Sequence, residues 1–187
     1  MPLTPAEEDM TIVTMMCNPQ QVNAGFRLLI KKYQERLYYH VLQIVKVHED
    51  SDDVLQNVFI KVFRNIQGFE AKSGLYTWLY RIATNEALTH LQGQKRRMTD
   101  DLEPLSSVLE TGSQDGNLSS VDLEKLLKYA MSTLPEKQKL VFHMRYYDEM
   151  PYEDISKVLE TSVGALKASY HHAVKKIEAI IKRQDLT

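Results

Sequence analysis

The residues of this 187-residue chain most suited to a chemical task lie near its end. Tyr152 to Leu159 reads as a short helix, Glu160-Thr161-Ser162 as a turn, and the residues from Val163 onward as a longer helix. At about 100° per residue, Leu166, Tyr170, Ala173, Ile177 and Ile181 share one side of that longer helix. Gly164, Ala168, His171, His172, Lys175 and Lys182 share the other, with Lys167 at the margin. Small residues let a backbone approach a major groove, while Lys and His donate to phosphates and base edges. A solvated basic surface helix has the same composition; the short helix and tight turn before it favour a helix-turn-helix and hence DNA. Ile155 and Leu159 then pack on Val163 and Leu166, and Ser162 caps the second helix.

Catalytic chemistry has little support. No Gly-rich phosphate loop, activated nucleophile or inward carboxylate pair is evident, so no enzyme and no cofactor is expected. His171 and His172 diverge by about 100° on a helix, and none of the six histidines has a Cys or acidic partner at ligand spacing, so no metal is expected either. The single cysteine, Cys17, cannot form an internal disulfide and fits a reducing, cytoplasmic setting. No signal sequence and no apolar run of about 18–20 residues is present, so membrane insertion is not expected.

These residues must be held by a scaffold, and the scaffold reads as helical throughout. Apolar residues make up 43% and charged residues 26%, ordinary globular usage. The formal net charge of −2 argues against coating nucleic acid by bulk charge. Its distribution is uneven: residues 1–97 carry +2, residues 98–121 carry −5 with no Lys or Arg, and residues 122–187 carry +1. The middle stretch, with Asp100, Asp101, Glu103, Glu110, Asp115, Pro104, Gly112 and Gly116, reads as a flexible acidic linker. In the first domain, Thr4-Pro5-Ala6-Glu7 has the form of a capping box, and Asn18-Pro19 breaks the chain. Phe26, Leu29, Ile30, Tyr33, Leu37, Val41 and Ile44 then form one helical stripe. A helix starting at Ser51 buries Leu55, Val58, Phe59, Val62, Phe63 and Ile66. After the break from Gly68 to Gly74, another puts Leu75, Trp78, Leu79, Ile82 and Leu91 inward and ends near Lys95-Arg96-Arg97. In the second domain Leu123, Leu126, Leu127, Ala130 and Met131 line one helix, and Thr133-Leu134-Pro135-Glu136 reads as a second capping box opening the helix with Leu140, Val141 and Met144. No period-two alternation suggests a strand, so the expected fold is all-α: two small helical domains joined by the linker.

Two stretches of sequence now carry a resemblance. Asp52 through Phe63 (DDVLQNVFIKVF) followed by Tyr76 through Asn85 (YTWLYRIATN) resembles the first conserved domain of extracytoplasmic-function (ECF) sigma factors, the smallest sigma-70 specificity subunits of bacterial RNA polymerase. Leu134 through Gln138, Tyr152 through Ile155 and Ser162 through Lys167 resemble the second domain of the same class, in the same order. The resemblance implies sigma region 2 over 1–97, the linker over 98–121, and sigma region 4 with its helix-turn-helix over 122–187. The implied function is to direct core polymerase to promoters by melting the minus-10 element and recognising the minus-35 element. Carried over by position, core polymerase binding falls on Asp53, Gln56, Asn57 and Lys61, which lie off the apolar stripe, whereas Phe59 and Phe63 read as core. Minus-10 contact falls on Phe69, Lys72, Ser73, Tyr76, Tyr80, Arg81 and Asn85. There, Lys72 and Arg81 meet phosphates, Tyr76 and Tyr80 offer stacking faces worth about 1–3 kcal/mol per base, and the flanking glycines permit an irregular loop; Trp78 reads as a packing anchor. Minus-35 contact falls on Ser162, Gly164, Lys167, Ala168, His171, His172 and Lys175.

The implied partners are the clamp and flap of the polymerase large subunits and promoter DNA, with an anti-sigma factor as an open further possibility. This chain departs from the family where Glu160 stands at a turn position often held by Gly, and where Ser169 and His172 replace common Arg or Lys. Two other classes remain in view: a dimeric operator-binding regulator, which predicts a two-half-site footprint, and a helical adaptor, which predicts no salt-dependent DNA binding.

Overall fold

The structure is a computed structural model that describes residues 3–100 and 120–184. Helix α1 (Pro5–Cys17) starts as its sequence implies: the Thr4 N–H donates to Glu7 Oε2 at 2.7 Å and the Glu7 N–H returns to Thr4 Oγ1 at 3.3 Å. Ile12, Val13 and Met16 form its buried face against α2 (Val22–Val45). The two helices meet closely at Gly25, where a Cβ would lie 2.8 Å from Met15 Cβ and 2.9 Å from the Met16 backbone nitrogen. Along α2 the expected stripe is buried at Leu29, Tyr33, Leu37, Val41 and Ile44 and half-buried at Phe26 and Ile30. The helix stops at Lys46, which takes the left-handed conformation (φ 71°).

Helix α3 (His48–Asn65) begins three residues before Ser51. Extended Val47 sets the turn of the chain, Glu49 and Asp50 complement the positive end of the helix, and Ser51 lies too deep to cap it. Ser51 is instead buried, its hydroxyl donating to the Val47 carbonyl at 2.6 Å. A single 3-10 turn (Ile66–Gly68) leads to the loop before α4 (Leu75–Asp100), which buries Leu75, Leu79, Ala83 and Ala87. α4 runs three residues past the expected end at Arg97.

In the second half, α5 (Ser120–Ser132), α6 (Glu136–Tyr146), α7 (Tyr152–Leu159) and α8 (Val163–Gln184) follow. The second capping box does not form: Pro135 occupies the cap position, and the Thr133 hydroxyl donates back to the Ala130 carbonyl at 2.8 Å. Thr133 sits two residues outside the cap, so its oxygen serves the end of α5 rather than the start of α6. The helix-turn-helix has the expected bounds, with Ile155 and Leu166 fully buried between α7 and α8. Of the segment 98–121, residues 98–100 continue α4 and Ser120 opens α5, while 101–119 lie outside the described residues.

The two halves pack on each other. Val141, Met144, Met150, Ile155, Val158 and Leu166 join the same apolar cluster as Leu29, Leu37, Val58 and Leu79. Full burial of side chains of this size is worth about 1.5–3 kcal/mol each. A smaller cluster, including Met131, Leu134, Phe142 and Ile177, holds α5, α6 and α8 together. Among the described residues there is no strand, and no helix is long and apolar enough to cross a membrane.

Two stability predictions follow from backbone geometry. Gly25→Ala forces α1 away from α2 and is expected to lower stability by about 1–3 kcal/mol, as overpacking does; urea unfolding at unchanged slope is the measurement. Glu160 closes α7 in the left-handed conformation (φ 50°) without being glycine. Glu160→Gly releases strain of about 1–2 kcal/mol against about 0.4–1 kcal/mol of added unfolded-state entropy. A higher urea midpoint is therefore expected; an unchanged or lower one would show that the turn is not strained.

Candidate nucleic-acid interface

The loop between the 3-10 turn and α4 carries one backbone irregularity. Ala71 takes a left-handed conformation (φ 55°), whereas no described glycine has a positive φ. The irregularity is thus stored at Ala71 and not, as expected, at Gly68 and Gly74, a kind of strain that often marks functional loops. Under the loop lies a cavity of about 270 Å³ lined by Phe69, Lys72, Ser73, Trp78, Arg81 and, from α7, Lys157, among others. Trp78 is half-buried: it packs against the bundle core, as a packing anchor would, and also lines the cavity with its ring 5.5 Å from that of Phe69. Lys72 is exposed and paired with Glu70; Arg81 is exposed, and Asn85 is exposed one helical turn beyond it.

Tyr76 and Tyr80 lie on a different face of α4. Tyr80 is 0% exposed, its ring 4.6 Å from His40 and 4.3 Å from Tyr76. Its hydroxyl donates to Asp148 Oδ1 at 3.0 Å, and the Tyr76 hydroxyl donates to the Asp148 carbonyl at 3.3 Å. Burial pushes the Tyr76 hydroxyl up to about 12 and, with help from the Asp148 carboxylate, raises Tyr80 as well, so both remain donors. The expectation of open stacking faces is therefore corrected for this arrangement: the turn between α6 and α7 covers them.

On α8, Ser162, Gly164, Lys167, Ala168, His171, His172 and Lys175 are all exposed, while Leu166, Ala173 and Ile177 are buried behind them. The Ser162 hydroxyl accepts the Ala165 N–H at 3.4 Å, a long capping bond at the expected place. Gly164 faces open space, and the Lys167 ammonium stands 5.7 Å from the centre of the Tyr152 ring.

The outer face of α3 presents Asp53, Gln56, Asn57 and Lys61, all exposed, with Lys61 paired to Glu86 of α4. Both phenylalanines of α3 are expected in the core: Phe59 is half-buried and packs against the core, whereas Phe63 is 41% exposed and packs edge-on against Phe26 at 5.1 Å. Phe63 lies about 100–140° round the helix from the buried Val58–Val62 row, so it flanks the polar face and does not fill the bundle.

Sequence spacing did not reveal one further cluster. His40 of α2, His143 of α6 and Asp148 of the following turn converge, with three ligand-type atoms within 4.8 Å of one another. The expectation that the histidines gather no acidic partner is corrected here: residues about a hundred positions apart meet only because the two halves pack.

Family models describe the same two units: sigma-70 region 2 matches residues 29–97 and sigma-70 region 4 matches residues 124–177. The chain is 31% identical over 163 residues to an ECF RNA polymerase sigma-E factor of Haemophilus influenzae, covering 82% of this chain and 86% of that one. It is 28% identical over 167 residues to an RNA polymerase sigma-H factor of Pseudomonas aeruginosa, covering 84% and 86%. In fold it is similar to the sigma factor RpoE of Bartonella quintana solved with the anti-sigma factor NepR, at TM-score 0.68, 23% identity and coverage of 84% and 96%. CnrH, solved with the cytosolic domain of CnrY, is similar at TM-score 0.65 and 17% identity over 94% and 98%. The chain therefore belongs to the ECF sigma factors of the sigma-70 family, which direct RNA polymerase to promoters.

Proposed function

We propose that this sigma factor reads its promoter with the loop cavity under Phe69 and with the outer face of α8, and docks on core polymerase through the outer face of α3. The observation that carries the first assignment is the cavity itself. It has room for an unstacked base, an aromatic wall in Phe69 and Trp78, and cations at its rim in Lys72 and Arg81. Asn85, exposed beside it, offers an amide donor and acceptor to a second base. No bond chemistry is asked of the protein; strand separation is driven by binding the unpaired strand. The minus-35 assignment rests on the seven residues from Ser162 to Lys175 named above sharing one open face.

The closed packing bears on how the protein acts. Lys157 of α7 stands at the rim of the loop cavity, and Asp148 holds Tyr76 and Tyr80. Engaging both promoter elements at once requires α7 to leave α4, and docking on polymerase supplies the binding energy for that separation. Partners are thus core polymerase and promoter DNA in the bacterial cytoplasm. An anti-sigma factor is a further partner, by analogy with RpoE of Bartonella quintana, solved with the anti-sigma factor NepR.

In vitro transcription with purified core polymerase tests this reading. Asn85→Ala is expected to relax discrimination at one minus-10 base by about 1–3 kcal/mol with an unaltered melting curve; unchanged selectivity in the folded variant would remove Asn85 from the reader. Lys175→Ala is expected to weaken all minus-35 sequences about equally and to lower the salt dependence by about one charge. Lys167→Ala should change sequence preference in a promoter library. Equal behaviour of the two variants would mean that α8 grips backbone only.

A further inference from the structure

The His40–His143–Asp148 cluster has features of a built site. The side chains are 0%, 8% and 9% exposed, and His40 Nδ1, His143 Nδ1 and Asp148 Oδ2 have no hydrogen-bond partner. Buried polar atoms are rarely left this way. The tautomer of His40 follows from its neighbours. The Thr84 hydroxyl gives its proton to the Tyr80 carbonyl at 2.8 Å, so it accepts from His40 Nε2, also at 2.8 Å. The proton of neutral His40 is therefore on Nε2, and Nδ1 turns a lone pair toward Asp148 Oδ2 at 3.9 Å. His143 Nδ1 lies 3.4 Å from the same oxygen. Burial holds the His40 imidazole down to about 4, against protonation near neutrality.

We propose that His40, His143 and Asp148 bind one divalent cation of the zinc class, and that the bound ion clamps the two halves of the chain in the closed arrangement. Metal–nitrogen bonds of about 2.0–2.1 Å in a tetrahedral site put neighbouring ligand atoms about 3.3–3.4 Å apart. The observed 3.4 Å meets this and the 3.9 Å approaches it within a small side-chain shift. Two imidazoles and one carboxylate select zinc-like metals over magnesium or calcium. Ligating histidines usually donate their other N–H to a fixed acceptor, as His40 does to Thr84, and the second oxygen of Asp148 is fixed by Tyr80. His143 and Asp148 also line a groove of about 880 Å³ that includes Glu35 and Tyr39, which provides a path from solvent. Three protein ligands leave a fourth position for water.

The consequence for activity rests on the function proposed above. His40 belongs to α2, whereas His143 and Asp148 belong to the second half, so an ion shared among them opposes the separation of α7 from α4. Zinc would then hold the tyrosines covered and Lys157 at the cavity rim, lowering promoter-directed transcription.

The test uses the full chain carrying Cys17→Ser, which removes an exposed thiol that would take up zinc. Calorimetric titration with Zn²⁺ and the visible spectrum with Co²⁺ are expected to show one tetrahedral site per chain. Asp148→Asn keeps an acceptor for Tyr80 and nearly the same shape, and His143→Gln spares the α2 side; each should weaken binding at least tenfold while circular dichroism stays unchanged. Absence of a site, or loss of binding on replacing His171 and His172 but not Asp148, would overturn the proposal. Added zinc should reduce transcription by core polymerase with the Cys17→Ser chain but not with its Asp148→Asn form. Equal sensitivity of both would overturn the clamp while leaving the site. Failure of the metal-free chain to direct transcription would count against the sigma-factor reading alone.

Discussion

Asp148 is the polar hinge on which the arrangement of this protein turns. Its backbone carbonyl and one carboxylate oxygen receive the hydroxyls of Tyr76 and Tyr80, and its other oxygen faces His40 and His143. An almost fully buried carboxylate must be compensated by hydrogen bonds or by charge. Among the described residues, the one side-chain hydrogen bond to it comes from Tyr80 of the other half, and its second oxygen lies near His143 of its own half and His40 of the other. Around it, Met144, Met150, Ile155 and Val158 complete an apolar cluster begun by α2, α3 and α4. The same surface that buries this cluster holds helix α8, through Leu166, at a defined place relative to the first half.

That compactness stands in tension with the task. The face of α4 that carries Tyr76 and Tyr80 is stabilised by being covered, and covered aromatic faces cannot stack on bases. The stabilising contacts are of two kinds. Apolar burial is spread over many side chains of both halves, whereas the polar contact between them is concentrated at Asp148, which receives Tyr76 and Tyr80.

Local backbone strain lies near these surfaces. Ala71 bends the loop over the cavity, Glu149 (φ 53°) follows Asp148 directly, and Glu160 turns α7 into α8. None is glycine, so each left-handed residue costs free energy that the surrounding packing must offset. At Glu149 the strain places Asp148 under the two tyrosines while Met150 enters the core, with its N–H bonded to the Met144 carbonyl at 2.9 Å.

Features governed by near neighbours are legible in the sequence. Helical periodicity exposes the stripe from Leu29 to Ile44, the Thr4–Glu7 box, the three-residue turn at Glu160 and the outward face of α8, because each depends on contacts within one or two turns. The motifs of both sigma regions are local in the same sense, which is why the family is legible without a structure. Caps were less so: Ser51 and Thr133 have the right chemistry, but the direction of the incoming chain at Val47 and Pro135 decides where a helix begins. The exposure of Phe63, the burial of Tyr80 under Asp148 and the meeting of His40 with His143 come from long-range packing. Each of these depends on which helix packs against which, and the free energy that selects that packing is summed over many weak apolar contacts with no signature at any single position.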